Sequence, residues 1–232
     1  MEASFRLKVA ADTEAFFIDC HIDRVDQAAG AAVVCDYKTG SPDLKLAEIT
    51  AGYRLQLITY LMSVLDDTRA GLLPGALLYI YLKGDTCSVP VPDGDTPIKP
   101  AEDLKGYFLA DKDFLLALDK NLCTDDAYLP IEQTKKGTWT ARSPVLTTEE
   151  MKALFAVARM RLAEIYQNMK SGRIPIRPLR CQSQIPCTYC DYRSICRFDP
   201  KLPGNRYEDI ETASDSDIKS QLREAAQDKE NI

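Results

Sequence analysis

The run Val33-Val34-Cys35-Asp36-Tyr37-Lys38 constrains this chain more than any other stretch. It is apolar and β-branched at its start, reads as a strand, and ends on an acid and a base. Side chains two apart on a strand project to one face, so Asp36 and Lys38 share a surface wherever the strand lies. A second apolar run, Ala15-Phe16-Phe17-Ile18-Asp19-Cys20-His21-Ile22, leads into Asp23. Turn-forming residues 27–30 separate the two runs, which predicts that they form a hairpin. Folded that way, Asp23 approaches Asp36, and two converging carboxylates suit a hard divalent cation such as Mg²⁺ or Mn²⁺. A lysine beside them can orient an attacking water and offset charge building on a phosphate, as a metal-dependent phosphodiesterase requires. On the triplet alone, a solvated strand end is the plain alternative.

Leu55, Ile58, Leu61, Met62 and Leu65 recur at helical spacing and predict one helix over residues 46–66. Gln56 and Tyr60 sit four apart on it and share a face. Their polar tips can hydrogen-bond a phosphate or a base. The competing role is to edge the core.

The series Ile22-Asp23-Arg24-Val25-Asp26, Asp36-Tyr37-Lys38-Thr39-Gly40 and Gln56-Leu57-Ile58-Thr59-Tyr60 resembles the motifs of the RecB-type branch of the PD-(D/E)xK nucleases. The C-terminal run from Ile185 to Asp199, with Cys187, Cys190 and Cys196, narrows the resemblance. It is similar to the C-terminal nuclease domain of the B subunit of AddAB-type helicase–exonucleases. CRISPR-associated adaptation nucleases share part of the pattern. The resemblance covers nearly the whole chain, from Phe16 to Tyr207. It implies an α/β fold, a restriction-nuclease-like mixed β-sheet flanked by helices, with a C-terminal cysteine-bearing segment.

It also implies a DNA exonuclease that works with a helicase–nuclease A subunit on double-strand ends during recombinational repair. Asp23 and Asp36 would ligate the metal, with the Tyr37 backbone carbonyl as third ligand. Lys38 would handle the water, and Gln56 and Tyr60 would hold the DNA strand. Asp26 reads as the ion-pair partner of Arg24. A DNA-end-binding or partner-docking module without turnover is the second reading. The trio of Asp23, Asp36 and Lys38 argues against it, because binding alone needs no such set.

Cys187, Cys190 and Cys196 have C-x-x-C-x5-C spacing, and Cys181 precedes them. Clustered thiols of this kind bind Zn²⁺ or an iron–sulfur cluster. A zinc site usually shows two close pairs, and one is present here, although a zinc-stabilised interaction domain is a third functional reading. The resemblance favours a [4Fe–4S] cluster on Cys187, Cys190 and Cys196, with the fourth ligand far upstream. Few residues precede Phe5 and none is Cys, so the expectation is a fragment of a longer polypeptide, cut just before the nuclease hairpin. Cys181 is then a substitute fourth ligand or a bystander. His21, the only histidine, is separated from Asp23 by one residue and is a weak substitute for a missing metal ligand.

Net charge is −6, which argues against gripping nucleic acid by bulk field. Local basic groups include Lys135, Lys136, Arg142, Arg173, Arg177, Arg180, Arg193 and Arg197, which face phosphates or solvent. Absence of a basic-then-apolar start and of any long apolar run points to a cytoplasmic chain without membrane contact. In that setting scattered cysteines such as Cys20 and Cys35 read as small buried strand residues.

Further along, the pattern predicts a strand over 5–10, a buried strand over 75–82 with residues 86–91 beside it, and a loop over 90–100. A helix is expected over 112–121 and an irregular hairpin over 128–144. Thr147 and Glu150 fit a capping box opening a long helix that Gly172 closes. Residues 1–200 are expected to form the nuclease domain, with its cysteine cluster at 181–196. Residues 201–232 are expected to form an acidic tail, frayed helix or disordered.

Overall fold

Two antiparallel ladders, not one hairpin, carry the N-terminal strands. In the computed structural model, which describes residues 3–11, 14–40, 43–67, 71–82, 104–173, 175–181, 185–210 and 213–230, β1 (Ala3–Ala11) pairs with β2 (Glu14–Ile22) as a separate two-stranded sheet. The chain bends at Asp23 and enters β3 (Arg24–Ala28), which pairs with β4 (Ala31–Lys38). The apolar run before Asp23 therefore finds its partner upstream, and the short strand after Asp23 forms the hairpin. The turn is Ala29-Gly30, with φ of 46° and 74°. Two successive positive φ values are what a type I′ turn requires to match strand twist.

Among the described residues the main sheet has five strands in the order β3-β4-β5-β6-β7. It is completed by β5 (Leu73–Tyr81), β6 (Leu104–Leu109) and β7 (Val145–Leu146). β4 pairs parallel with β5, β5 antiparallel with β6, and β6 parallel with β7, so the sheet is mixed as expected. Residues 31–36 of β4 are all buried, as befits a strand covered on both faces. Ala31, Val33 and Cys35 join one core with Phe108 and with Phe114 of α3 (Lys112–Leu118). Ala32 and Val34 join the other, with Leu57, Ile58, Leu61 and Met62. Alternation thus continues to Asp36 and Lys38 on the second face.

The helix expected over 46–66 is divided. α1 (Leu46–Thr50) ends where Gly52 adopts φ 82°, and α2 (Gln56–Asp67) starts afresh. The amide of Tyr53 donates to the Glu48 carbonyl at 2.8 Å and that of Gly52 to Ile49 at 2.9 Å. This paired closure needs a left-handed residue, which glycine supplies without a Cβ penalty. Apolar periodicity cannot see it, because the spacing resumes after the break.

α4 (Thr148–Lys170) opens on the expected capping box: Thr147 Oγ1 accepts from the Glu150 amide, and the Glu150 carboxylate accepts from the Thr147 amide. Gly172 follows its C-terminus. β8 (Leu179–Arg180) and β9 (Glu208–Asp209) form a short parallel pair. The tail after Ala213 is not frayed at its start. α6 (Asp215–Glu230) buries Ile218 and Leu222 in the core shared with α4. Asp215 accepts from Tyr107 Oη at 2.5 Å and from the Leu46 amide at 3.3 Å. The expectations for 86–91 and 90–100 lie outside the described residues. Among the described residues no helix is long and apolar enough to cross a membrane.

Candidate active site

β3 and β4 place the acids. Arg24 pairs with Cys35 in the ladder, and continuing that register sets Asp23 opposite Asp36. Residues directly opposite on antiparallel strands face the same side of the sheet. Asp23 Oδ2 accepts a hydrogen bond from the Tyr37 amide at 2.9 Å, so its carboxylate is fixed against the backbone next to Asp36. Arg24 Nε donates to Asp26 Oδ2 at 2.7 Å, which commits Asp26 to the surface ion pair expected for it. His21 is exposed on β2, with Nδ1 3.1 Å from Ser4 Oγ.

Asp36 is 4% exposed, and its Oδ2 lies 2.5 Å from Lys38 Nζ. That contact is an ion pair without hydrogen-bond directionality, so the buried oxygen lacks a hydrogen-bond partner. A buried carboxylate balanced only by an ion pair to a partly exposed lysine keeps part of its desolvation cost. A divalent cation would satisfy it, and Mg²⁺ commonly takes one or two carboxylates with water and phosphate oxygens in its other positions. The donor set of Asp36 and Asp23 therefore fits such an ion.

Lys38 is held from a second side. Its Nζ donates to Gln56 Oε1 at 3.1 Å, and Gln56 Nε2 donates to Tyr60 Oη at 3.0 Å. Gln56 is the first residue of α2 and is exposed, whereas Tyr60 is half-buried one turn on. Gln56 thus serves the lysine directly, and Tyr60 serves it through Gln56. Lys38 Nζ also lies 5.3 Å from the centre of the Tyr79 ring. Burial pushes the Tyr79 phenol above its ordinary value, while Lys38 and Arg54 pull it back.

Three residues near this site escaped the sequence reading. Glu48 is 4% exposed on α1 and pairs with Arg54 Nε at 2.7 Å, and the Arg54 charge acts on Tyr79. The available signal was a lone acid among Leu46, Ala47 and Ile49, a charge placed where the pattern calls for core.

The cysteines of the C-terminal run lie on short turns. Cys187 lies in a 3₁₀ turn (Pro186–Tyr189), Cys190 follows it, and Cys196 ends α5 (Arg193–Cys196). Cys181 is buried beside β8, and its Sγ donates to Glu48 Oε1 at 3.1 Å. Its partner is a core carboxylate, which removes it from the exposed thiols. Among the described residues no three His, Cys, Asp or Glu side chains gather to hold a metal.

A cavity of about 320 Å³ opens beside α1, lined in part by Lys45, Glu48, Cys181 and Asp215. Asp23, Asp36, Lys38, Gln56 and Tyr60 do not line it, so the acidic pair sits outside that cavity.

The sequence profile of the PD-(D/E)XK nuclease superfamily matches residues 2–197. The chain is 32% identical over 220 residues to the B subunit of the ATP-dependent helicase/deoxyribonuclease of Desulforamulus reducens, covering 90% of this chain and 19% of that protein. It is 28% identical over 230 residues to the like-named protein of Alkaliphilus oremlandii, covering 94% and 20%. A protein of the same name from Clostridium perfringens is 30% identical over 228 residues, covering 91% and 19%. The chain spans about a fifth of the length of these curated relatives. With the profile covering most of its length and a mixed sheet that carries the acid–lysine strand, the chain belongs to the PD-(D/E)XK nuclease superfamily.

Proposed function

We propose that this chain is a Mg²⁺- or Mn²⁺-dependent deoxyribonuclease domain that hydrolyses DNA phosphodiesters. The observation that carries the reading is the buried Asp36 carboxylate, with Asp23 beside it and Lys38 on the same face. Asp23, Asp36 and the Tyr37 carbonyl would hold the cation. Bound there, such an ion lowers the pKa of water and offsets charge on the phosphoryl oxygens. Lys38 orients the attacking water and adds positive charge at the phosphate. Gln56 keeps the Lys38 ammonium aimed, and Gln56 and Tyr60 together border the path of the DNA strand.

The names of the relatives support a place in a helicase–nuclease assembly. We read the domain as its exonuclease, trimming double-strand ends for recombinational repair in the cytoplasm beside an A subunit. We propose a [4Fe–4S] cluster on Cys187, Cys190 and Cys196, supported by their spacing and by the family resemblance, that would staple the C-terminal segment to the nuclease core.

The test is cleavage of end-labelled single-stranded DNA with Mg²⁺ against EDTA. Asp36→Ala and Lys38→Ala are expected to lose cleavage while remaining folded by circular dichroism. Full activity in Asp36→Ala would overturn the assignment.

A further inference from the structure

The ion pair of Glu48 with Arg54 is a second charged element beside the acidic strand. Glu48 lies on α1 between Ala47 and Ile49, both buried, and is itself 4% exposed. Arg54 Nε is 2.7 Å from its Oε2, and Cys181 Sγ donates to its Oε1 at 3.1 Å. An apolar residue would cover α1 at no desolvation cost, so a buried charge there fits orientation better than stability.

What it orients is Arg54. The turn that brings Arg54 round is closed on the Glu48 carbonyl, which accepts from Tyr53 at 2.8 Å and from Arg54 at 3.4 Å. The guanidinium lies 5.5 Å from the centre of the Tyr53 ring, and its charge helps pull the Tyr79 phenol down against burial. Lys38 lies over that same Tyr79 ring. Two cations thus flank one aromatic side chain, one on the strand of the acidic pair and one on the turn before α2.

Neighbouring arginines are used differently. Arg24 and Arg161 are spent on exposed carboxylates at 2.7 and 3.0 Å, and Arg159 on a half-exposed one at 2.9 Å. The acid of Arg54 is buried behind it, while 26% of the Arg54 side chain stays exposed. Nε serves Glu48, and the two terminal nitrogens carry the remaining donors. A planar fork of this kind matches phosphate oxygens in a way an ammonium does not.

We propose that Arg54, oriented by Glu48, binds a backbone phosphate of the DNA strand next to the scissile one. Arg54 is the contacting residue and Glu48 a positioning residue. The inference rests on the nuclease reading above. It also supplies local positive charge that a chain of net charge −6 lacks in bulk.

The experiment is fluorescence anisotropy of a labelled oligothymidylate on the full chain, over a salt series. Ca²⁺ replaces Mg²⁺, and a gel verifies that the strand stays intact. Arg54→Gln is expected to weaken binding about tenfold. The slope of log K against log salt should fall by about 0.7, the value for one single-strand phosphate contact. Arg54→Lys should keep the wild-type slope. The double variant Glu48→Gln with Arg54→Gln removes both charges, leaves no buried acid unpaired, and should show the same loss. A folded double variant with wild-type affinity and slope overturns the inference. If wild type still cuts DNA in Mg²⁺ and Asp36→Ala does not, that failure leaves the nuclease reading standing. A wild-type chain that neither binds nor cuts overturns both.

Discussion

Gln56 Oε1 accepts a hydrogen bond from Lys38 Nζ at 3.1 Å, joining the start of α2 to the end of β4. The same amide donates to Tyr60 Oη at 3.0 Å, which fixes which end of the amide faces the lysine. A role confined to the DNA strand would not require this bridge. Gln56→Ala is therefore expected to lower turnover about 10–100-fold, the usual effect of losing a residue that orients a reacting group. Tyr60→Phe should act in the same direction and more weakly. Strand affinity, measured separately, should change little. A loss confined to affinity, with turnover of bound strand intact, would move Gln56 from lysine positioning to DNA contact.

Burying the Asp36 carboxylate costs stability that the proposed metal site would account for. The carboxylate is buried and one oxygen lacks a hydrogen bond. Asp36→Asn removes the desolvated charge at nearly constant shape, and Lys38, whose side chain is 35% exposed, can turn to water. The melting temperature in EDTA should hold or rise while Mg²⁺-dependent cleavage falls to background. A clear drop in melting temperature would show that the Asp36–Lys38 pair is chiefly structural.

Thiol reactivity should divide along burial. Burial pushes the Cys35 thiol up to about 11 and raises Cys20. Burial, then the hydrogen bond to Glu48, raises Cys181. Cys123 and Cys190 are exposed, and Cys187 and Cys196 partly so. Because the thiolate is the reactive form, brief alkylation near neutral pH should label these four well before Cys20, Cys35 and Cys181. Peptide mass spectrometry reads the order. In anaerobically purified protein carrying iron, Cys187, Cys190 and Cys196 should be protected while Cys123 is not. Free labelling of Cys187 in iron-loaded protein removes the cluster assignment.

Arg180 grips Asp209 through two contacts, Nε at 2.5 Å and an outer nitrogen at 2.8 Å, and so ties β8 to β9. These hydrogen bonds, then the charge of the guanidinium, hold the Asp209 carboxyl below its ordinary 3.8. A carboxyl with a depressed folded pKa binds its proton more readily when unfolded. Its contribution to stability is complete above the unfolded value and is lost as pH falls through the folded one. Thermal melts between about pH 5 and pH 2.5 should therefore decline less steeply in Asp209→Asn than in wild type. Parallel declines would show that the pair, being exposed, adds nothing.

Local rules carried much of this protein in its sequence. Asp36 and Lys38 share a face because the strand period is 2 and needs no partner to define it. The Thr147–Glu150 box and the Gly172 stop were legible because each is closed by atoms within a few residues. The link from Arg24 to Asp26 is local in the same way. What pairs with what across the chain was not legible. The run before Asp23 suits β4 as well as it suits β1, and the tertiary structure chose β1, leaving Arg24–Ala28 to form the hairpin. Helical spacing ran through Gly52 unbroken, although the chain turns there. The bridge from Lys38 to Gln56, the burial of Glu48 against Cys181 and the docking of α6 all join residues distant in sequence. The periodicity of a segment states which face is apolar. Only packing against the rest of the chain decides which polar groups that burial brings together, because desolvation is a property of the assembled neighbourhood and not of the residue.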